Sequence, residues 1–439
     1  MTDPSIFDTY TAAYRTFGCK LNFAETASIE RRLEERGFRR AAADETPDVI
    51  VVNTCSVTAE ADKKCAREIR SLHRRYPGAS IAVTGCFAQL KPDEVGALPG
   101  VAVVVGADRK MHLDEMIARH LESHETLHDV GPGRDIREFA PSCSRGDRTR
   151  FFLKVQDGCD YWCTYCTIPR ARGRSRSGSI ESLVAQAREA AALGGREIVI
   201  TGVNIGDFGK GTDRTFYDLV RALDGVEGIE RYRISSIEPN LLTDEIIEFC
   251  ASSRAFMPHF HIPLQCGSDQ VLRLMRRHYD TALFAAKIAK VRQAVPDAFI
   301  GVDLIAGARG ETPELFRESL DFVGSLDISR LHVFPYSERP GTRALEIEPV
   351  VSQEEKHRRV EAMMAVSDRK WHEFAARYIG TVRPVLLEHG HGRPMAGFTD
   401  NYLRVEVEGA RPEMDNTIVN VMLTGYHPEL PETLVGRLT

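Results

Sequence analysis

The chain has 439 residues, of which 43% are hydrophobic and 27% charged, with a formal net charge of -6. This composition excludes a disordered or low-complexity protein, and the length accommodates two or three domains with separate cores. No segment offers the roughly 20 consecutive apolar residues of a membrane helix, and the first residues lack the pattern of a secretion signal. We therefore expect a cytoplasmic protein without membrane contact, whose affinity for nucleic acid depends on local basic patches.

Residues 1 to 125 alternate β-branched segments with amphipathic ones. The predicted strands are AAYRTFG, VIVVNTC, SIAVTGC and VAVVVG, and the predicted helices are NFAETASIERRLEERG and AEADKKCAREIRSLHRRY. This alternation is typical of an α/β domain with a parallel sheet and crossover helices. Residues 126 to 149 lack periodicity and contain Gly131-Pro132-Gly133, which predicts a linker.

Three cysteines of this first part, Cys19, Cys55 and Cys86, each end or directly follow a predicted strand. Adjacent parallel strands bring their carboxyl ends to one edge of the sheet, which is where open α/β sheets bind ligands. A cysteine in a strand is otherwise a small buried hydrophobe. Three cysteines at three strand ends favour a shared ligand site over core packing.

Residues 150 to 375 alternate strands and helices over a longer span. The predicted strands are FFLKVQ, EIVITG, RYRISS, HFHIPL, FIGVDLI and RLHVFPY. Six strands separated by helices predict a partial (β/α)6 barrel, whose chemistry lies at the carboxyl ends of the strands. Residues 376 to 439 then contain VRPVLLE, YLRVEVE and NTIVNVMLTGY, separated by turns, which predict a small closed β-barrel.

The loop after the first strand of the partial barrel reads GCDYWCTYC and contains Cys159, Cys163 and Cys166. A structural zinc site normally takes four protein ligands, and no fourth Cys or His follows closely. Three thiolates on a short loop suit an iron-sulfur cluster with one iron left open for a substrate or cofactor. A zinc site that uses a distant fourth ligand is the alternative.

Motifs across nearly the whole chain resemble one family. GCKLNFAE, NTCSVT, TGC and GCDYWCTYCTIPRARGRSRS are similar to the methylthiotransferases, radical S-adenosylmethionine enzymes with two 4Fe-4S clusters and a terminal TRAM domain. TGVNIGDFG, RISSIEPNLL, HFHIPLQ and FPYSERPGT most resemble the branch that methylthiolates C2 of N6-threonylcarbamoyladenosine 37 in tRNA. The sibling branches, which modify isopentenyladenosine in tRNA or an aspartate of a ribosomal protein, stay open as alternatives.

The resemblance implies a role for each cysteine set. Cys159, Cys163 and Cys166 would hold the cluster that donates an electron to cleave S-adenosylmethionine, with Tyr165 against the adenine. Cys19, Cys55 and Cys86 would hold a second cluster that carries the sulfur. One S-adenosylmethionine would methylate that sulfur, and another would generate the radical that activates the adenosine C2–H bond. A flavodoxin or ferredoxin would supply electrons, and we expect a monomer.

Further residues are assigned to the cofactor by position. The resemblance places Gly194, Gly195 and Glu197 where a glycine-glycine-acid motif contacts the amino group of S-adenosylmethionine, although Arg196 interrupts the usual triplet. The alternative is a helix C-cap that leads into a strand. Glu238 and Gln265 follow the RYRISS and HFHIPL strands and are candidates for binding the ribose or the adenine. They belong to the same barrel face.

Partner predictions follow from charge. Arg170, Arg172, Arg174 and Arg176 alternate with small residues beside the loop cysteines, a pattern that can follow a phosphate backbone. The alternative is a solvated charged face. The terminal β-barrel adds a second surface for structured RNA, so tRNA is favoured over a protein substrate. The alternative from a different class is a non-catalytic RNA-binding protein with structural zinc.

Cys266, in HIPLQCGSD, lies beside the expected site without an assigned role.

Overall fold

The computed structural model describes residues 7–144, 149–388 and 394–439. The described chain forms two compact units. Of the described residues, the first unit comprises 7–144, 152–178 and 337–342, and the second comprises 149–151, 179–336, 343–388 and 394–439. Across the described ranges, no helix is both long and apolar enough to cross a membrane.

The first unit is built on a six-stranded parallel sheet. Its strands are β1 (Thr11–Thr16), β2 (Arg39–Arg40), β3 (Val49–Thr54), β4 (Ser80–Gly85), β5 (Val101–Val105) and β6 (Leu127–Asp129). Its helices are α1 (Lys20–Glu35), α2 (Ala59–Arg75), α3 (Cys86–Leu90), α4 (Pro92–Gly96) and α5 (Leu113–Ser123). The strand order is β2-β1-β3-β4-β5-β6. The predicted strands and helices are all present, and β6 lies within the segment whose sequence predicts a linker.

The central strand β3 shows why this part of the sequence forms a buried parallel strand. Ile50 and Val52 pack into one core, whereas Val49 and Val51 pack into another on the opposite face of the sheet. A strand covered by helices on both faces has no solvent side, so its sequence is a continuous apolar segment rather than an alternating one. The helix that follows begins at a cap, because the Thr58 side chain accepts the backbone N–H of Ala61.

The segment that bears the loop cysteines closes on itself through paired strands. Its elements are β7 (Ser142–Cys143), β8 (Arg150–Lys154), β9 (Gln156–Asp157), α6 (Ile168–Arg172) and β10 (Arg176–Ser177). Strand β7 pairs with β8, and β9 pairs antiparallel with β10 through Asp157↔Arg176 and Gln156↔Ser177. The second pairing brings the two ends of residues 158–175 together. The loop that contains the three cysteines is therefore anchored by the backbone pairing of β9 with β10.

The second unit begins with alternating strands and helices. Its strands are β11 (Glu197–Thr201), β12 (Arg231–Ile234), β13 (His259–His261), β14 (Phe299–Ala306) and β15 (Arg330–Pro335). The helices are α7 (Ile180–Ala192), α8 (Phe216–Asp224), α9 (Asp244–Ser252), α10 (Asp269–Leu274), α11 (Thr281–Ala294) and α12 (Pro313–Ser325). The strand pairs β11–β12, β13–β14 and β14–β15 are parallel, and a bridge between Ser236 and His261 connects the two groups. Together with β8, which corresponds to the predicted strand FFLKVQ, these five strands account for all six strands predicted for the partial barrel.

The end of the second unit is a closed five-stranded β-barrel preceded by the long helix α13 (Gln353–Ala376). Its strands are β16 (Val382–Glu388), β17 (Ala396–Thr399), β18 (Arg404–Glu408), β19 (Ile418–Tyr426) and β20 (Thr433–Leu438), in the order β16-β17-β18-β20-β19. The sequence predicts the barrel but only three of these strands, because β17 and β20 lack a clear apolar alternation. Trp371 and Phe374 of α13 pack into the barrel core.

Two arginines of β12 attach this small barrel. The guanidinium of Arg231 donates to the carbonyl oxygens of Phe398 and Pro384, both at 2.9 Å. That of Arg233 donates to the carbonyl oxygens of Asp400 at 2.8 Å and Thr399 at 2.9 Å. Both arginines are buried. The small barrel is therefore held through its main chain by two side chains of the strand-helix part.

Candidate functional site

The three strand-end cysteines lie at one edge of the parallel sheet. Cys19 directly precedes α1, Cys55 directly follows β3, and Cys86 is the first residue of α3. The strands β1, β3 and β4 are neighbours, and their registers pair Thr16 with Asn53 and Thr54 with Gly85. The strands therefore end level with one another. This arrangement agrees with the expectation that parallel neighbours bring the three cysteines together.

Two glycines allow these segments to approach closely. Gly18 has φ +93°, and a Cβ at this position would lie 2.6 Å from the Cβ of Cys55. Gly85 has φ +100°, and its Cβ would lie 2.3 Å from the carbonyl oxygen of Thr54. Both positions combine a left-handed backbone with a neighbour inside van der Waals contact, so they require glycine. Each glycine precedes a cysteine, so the close packing fixes where the thiols lie.

The environment of these thiols suits ligation rather than free thiol chemistry. The backbone N–H of Asn22 donates to the carbonyl oxygen of Cys19 at 3.0 Å, and the thiol of Cys65 lies 3.7 Å from the carbonyl oxygen of Cys55. Burial, with a further contribution from the neighbouring Cys86, raises the pKa of Cys55 to about 12. Such a thiol loses its proton only to a cationic partner such as a metal.

The loop cysteines are held by the backbone of their own loop. Cys163 is buried, whereas Cys159 and Cys166 are partly exposed. The N–H of Tyr161 donates to the sulfur of Cys159 at 3.4 Å, and the N–H of Ile168 donates to that of Cys166 at 3.4 Å. Each donor lies two residues after the cysteine it contacts. Local backbone turns therefore orient two of the three sulfurs.

The base of the cysteine loop is fixed by one amide side chain. The Nε2 of Gln156 donates to the carbonyl oxygens of Asp157 at 3.0 Å and Gly158 at 2.7 Å, and to the hydroxyl of Ser175 at 3.0 Å. The backbone N–H of Cys159 donates to the carbonyl oxygen of Gly173 at 3.1 Å. Both ends of the loop are thus connected before its first cysteine.

The donor chemistry of both cysteine sets suits an iron-sulfur cluster. All ten cysteines are described and none forms a disulfide. Within the described ranges, no three His, Cys, Asp or Glu side chains converge closely enough to enclose one metal ion. The protein ligands of a cluster bind different irons, so they lie farther apart than the four ligands of a structural zinc. The donor set of three sulfurs also suits iron and sulfide.

The arginine run does not act as one surface. Arg170 and Arg174 are exposed, whereas Arg172 is buried and only 2% exposed. The guanidinium of Arg172 lies 3.0 Å from both Glu25 and Asp157. This burial corrects the prediction that Arg172 binds RNA, because its charge is used inside the first unit.

Arg176 is also engaged within the protein. Its guanidinium pairs with Asp157 at 3.0 Å and donates to the carbonyl oxygens of Glu138 and Arg172, both at 2.7 Å. These contacts correct the predicted RNA contact of Arg176. Only Arg170 and Arg174 have the exposure that a phosphate contact needs, although Arg170 also donates to the Pro340 carbonyl at 3.1 Å.

The glycine-glycine-acid segment is a helix end followed by a buried strand. Gly194 has φ +83° and donates its N–H to Ala191, while Gly195 donates its N–H to Ala190. These bonds are the pattern of a glycine C-cap after α7. Glu197 is fully buried, and its carboxylate lies 2.9 Å from the guanidinium of Arg233. The structure thus favours the C-cap alternative and corrects the cofactor contact predicted for Glu197.

Glu238 and Gln265 lie beyond the carboxyl ends of β12 and β13. The carboxylate of Glu238 is mostly buried and pairs with Arg277. Burial raises the pKa of Glu238 despite the attraction of Arg277. Gln265 has φ +69°, a left-handed conformation that a non-glycine residue adopts at a cost of about 1 kcal/mol or more. A strained backbone at a strand end is a frequent feature of binding sites.

Sequence reasoning missed a polar group on the neighbouring strands. The Nε2 of His261 lies 2.8 Å from the carboxylate of Asp303, and the rings of His261 and His332 have centroids 5.2 Å apart. The three side chains are only partly buried, and the N–H of Gln265 donates to the carbonyl oxygen of Asp303 at 2.8 Å. The signal was available, because HFHIPL, FIGVDLI and RLHVFPY each place a polar residue within an apolar strand.

Cys266 has no accessible sulfur. It is 1% exposed, and its thiol lies 3.7 Å from both Glu311 and Ser319. Glu311 in turn accepts from Arg359 at 2.8 Å and from the N–H of Gly307 at 2.7 Å. Cys266 therefore packs into a hydrogen-bonded group that includes Gly307 and Glu311 of the loop after β14.

Comparison with known proteins covers most of the chain. A model of the uncharacterized protein family UPF0004 matches residues 11–106, and a model of the radical SAM superfamily matches residues 153–323. Threonylcarbamoyladenosine tRNA methylthiotransferase MtaB of Bacillus subtilis is 38% identical over 428 residues, which cover 95% of this chain and 94% of that one. The protein of the same name from Thermotoga maritima is 38% identical over 403 residues, covering 91% and 92%.

A second group of relatives has a different name. The tRNA-2-methylthio-N(6)-dimethylallyladenosine synthase of Thermobifida fusca is 33% identical over 389 residues, covering 87% of this chain and 79% of that one. Among solved structures, a radical S-adenosylmethionine methyltransferase, TsrM, from Kitasatospora setae has a TM-score of 0.58 at 16% identity over 76% of each chain. This structural likeness shows a shared fold.

Proposed function

The chain belongs to the threonylcarbamoyladenosine tRNA methylthiotransferase family, and on this premise we propose that it methylthiolates C2 of N6-threonylcarbamoyladenosine 37 in tRNA. Coverage supports this branch. The four relatives with the threonylcarbamoyladenosine name cover 90% to 95% of the chain. The four dimethylallyladenosine synthases cover 86% to 88%. Dimethylallyladenosine is therefore the second candidate substrate.

The radical SAM domain uses S-adenosylmethionine and a 4Fe-4S cluster. We propose that Cys159, Cys163 and Cys166 hold this cluster. When bound, it supplies one electron for the reductive cleavage of S-adenosylmethionine. The N–H groups of Tyr161 and Ile168 stabilise the negative charge on two of the sulfurs. Tyr165 is the candidate for contact with the adenine, and Glu238 and Gln265 are candidates for the ribose or adenine.

We propose that Cys19, Cys55 and Cys86 hold a second 4Fe-4S cluster, which carries the sulfur to be transferred. The observation that supports this proposal best is the level edge of β1, β3 and β4, where three thiols follow three adjacent strands. The glycines before Cys19 and Cys86 support it further, because they admit no other residue at that packing. The part of this chain is to position and orient the thiolates.

The partners follow from exposed charge and from the chemistry. Arg170 and Arg174 are one proposed contact for tRNA, and the closed five-stranded barrel is a second, separate one. The electron donor would be a flavodoxin or a ferredoxin. The protein would act as a cytoplasmic monomer, with domains at 1 to 125, 150 to 375 and 376 to 439.

Mass spectrometry of tRNA nucleosides tests the function directly. Cells without the gene should lose the methylthio form of threonylcarbamoyladenosine and accumulate its precursor, and the gene should restore it. Loss of the methylthio isopentenyl nucleoside instead would assign the chain to the sibling branch. Unchanged nucleosides of both kinds would contradict a tRNA substrate. Anaerobically purified protein should be brown with about eight irons per chain, whereas a zinc protein is colourless.

A further inference from the structure

A buried group of ion pairs connects the segments that bear the two cysteine sets. We name it the buried ion cluster: Glu25, Lys110, Lys154, Asp157 and Arg172. Glu25 lies 2.5 Å from Lys110, 2.8 Å from Lys154 and 3.0 Å from Arg172. Asp157 lies 2.7 Å from Lys154 and 3.0 Å from Arg172. Glu25 belongs to the helix that begins after Cys19, and Arg172 follows Cys166 by six residues.

Burial of this many charges needs a reason other than stability. Each of the five side chains is at most 4% exposed. Desolvation of a buried ion costs several kcal/mol, and apolar residues of similar volume often stabilise a fold as well or better. Although burial opposes it, the attraction of Arg172 and the two lysines holds the pKa of Glu25 well below its ordinary value. The group is thus ionised and held inside the first unit.

Asn22 extends the buried ion cluster to the sheet edge. Its amide Nδ2 donates to the carbonyl oxygen of Phe17 at 2.7 Å and to that of Thr54 at 3.0 Å. Its Oδ1 accepts from Arg172 at 2.6 Å. Phe17 lies two residues before Cys19, and Thr54 is the residue before Cys55. One amide therefore joins two sheet-edge segments to the segment that follows the loop cysteines.

The cluster also carries excess positive charge close to the sheet-edge thiols. Counting Arg176, which pairs with Asp157 at 3.0 Å, four cations face two carboxylates. Two positive charges remain uncompensated within the group. The Sγ of Cys19 lies 4.0 Å from the Oδ1 of Asn22, the same atom that accepts from the Arg172 guanidinium at 2.6 Å. Thiolates and a reduced iron-sulfur cluster are negative, and nearby positive charge favours the reduced state of such a cluster.

We propose that Arg172 and Asn22 are positioning residues that fix the two cysteine sets relative to each other, and that the excess charge of the buried ion cluster stabilises the sheet-edge site in its reduced form. This inference rests on the proposed function, since it assumes a cluster at each set. A reaction that uses both sites on one carbon atom tolerates little variation in their spacing, because misplacement by about 1 Å costs roughly 100-fold in rate.

We call the contacts by which Arg172 and Asn22 join the two cysteine segments the bridge. Two substitutions of Arg172 separate the bridge from the positive charge of this residue. Arg172→Lys keeps the charge but loses the planar fork that contacts Asn22, Glu25 and Asp157 together. Arg172→Gln loses both. The sheet-edge site is isolated for redox titration by changing Cys159, Cys163 and Cys166 to Ala in each background. We expect a midpoint potential near that of the unsubstituted chain with Arg172→Lys and a more negative potential with Arg172→Gln.

The effect of the bridge on the spacing of the two sites is measured in protein that holds a cluster at each site. Electron paramagnetic resonance of the fully reduced protein reports the magnetic interaction between two clusters, which depends on their separation. We expect Arg172→Lys and Asn22→Ala to change this interaction and to lower the methylthiolated nucleoside formed per 5′-deoxyadenosine severalfold. Arg32→Lys is the matched control, since the guanidinium of Arg32 pairs with the buried Asp114 at 2.9 Å, which is not a member of the buried ion cluster. It should leave potential, interaction and ratio unchanged.

The outcomes decide between positioning and mere structural support. A variant that loads iron and keeps the interaction and product ratio of the unsubstituted protein would reject the bridge, whatever its melting temperature. An unchanged potential with Arg172→Gln would reject the electrostatic part. If Arg172 variants do not fold, Asn22→Ala still tests the bridge, because it removes one amide and no charge. If the unsubstituted protein itself shows a single cluster, the proposed function and this inference are both rejected, whereas two clusters with an unchanged interaction in the variants reject this inference alone.

Discussion

The two cysteine sets of the first unit are built in opposite ways. Cys19, Cys55 and Cys86 are far apart in sequence and come together through the register of three parallel strands. Cys159, Cys163 and Cys166 are separated by three and two intervening residues, and N–H groups of their own loop orient Cys159 and Cys166. One site depends on the tertiary fold, whereas the other depends on local backbone. Damage to the sheet should therefore reach the first site and spare the second.

The largest expected effect comes from the loop set. Cys163→Ala should remove about half of the iron and abolish 5′-deoxyadenosine formation, because two thiolates cannot retain the cluster. Iron analysis and product chromatography after anaerobic reconstitution measure both. Full 5′-deoxyadenosine production would show that this loop does not hold the cluster. Cys143→Ala serves as a control, since that cysteine belongs to neither set.

The matching change in the sheet-edge set should uncouple the reaction. Cys55→Ala should also lose about half of the iron but keep most 5′-deoxyadenosine formation, because the loop site stays intact. Methylthio transfer should stop. Both products are quantified in one reduced, reconstituted reaction with tRNA. Unsubstituted yields of modified nucleoside would contradict a sulfur carrier that depends on Cys55.

A change outside the cysteines tests whether the sheet-edge site depends on the fold. Gly85→Ala places a Cβ 2.3 Å from the Thr54 carbonyl oxygen at φ +100°, which should cost about 3 kcal/mol or more. The melting temperature and the sheet-edge iron should both fall, while 5′-deoxyadenosine formation persists at low temperature. Gly78→Ala is the control, because Gly78 has open space around it and no left-handed backbone. Equal behaviour of the two variants would contradict the packing argument.

The smallest expected effect concerns the exposed arginines beside the loop set. Arg170→Ala with Arg174→Ala should weaken tRNA binding and lower the slope of log affinity against log salt by about 0.7 to 0.9 per lost phosphate contact. Filter binding at several salt concentrations measures the slope. Arg358→Ala, at an exposed position of α13, is the control. An unchanged slope would leave Arg170 and Arg174 as a solvated surface.

Sequence patterns predicted the elements better than the contacts of individual side chains. The four strands of the first part and the six of the partial barrel each coincide with an apolar segment of the right length. Strand β17, AGFT, was missed because small residues give no apolar alternation. A period-two pattern identifies a strand only where side chains are large enough to show which face is buried.

The candidate site shows the same limit. Strand ends predicted that Cys19, Cys55 and Cys86 lie at one edge of the sheet, because register follows from parallel pairing. Arg172 and Arg174 are indistinguishable in the sequence, yet one is buried and the other exposed. The difference lies in Glu25, which is 147 residues from Arg172 along the chain and pairs with it in the fold. A long-range ion pair leaves no periodic signal, so its burial could not be predicted from composition or spacing.

The attachment of the small barrel has a consequence for divergence among relatives. Arg231 and Arg233 contact four carbonyl oxygens of the barrel and none of its side chains in these bonds. Every residue type presents a carbonyl oxygen, so the barrel's surface sequence can change without loss of this attachment. Substitutions on the barrel surface therefore leave these four bonds available. A barrel exchanged between relatives would have to keep, besides these main-chain bonds, the ion pairs of Glu388 with Arg150 at 3.0 Å and of Arg383 with Asp297 at 2.8 Å.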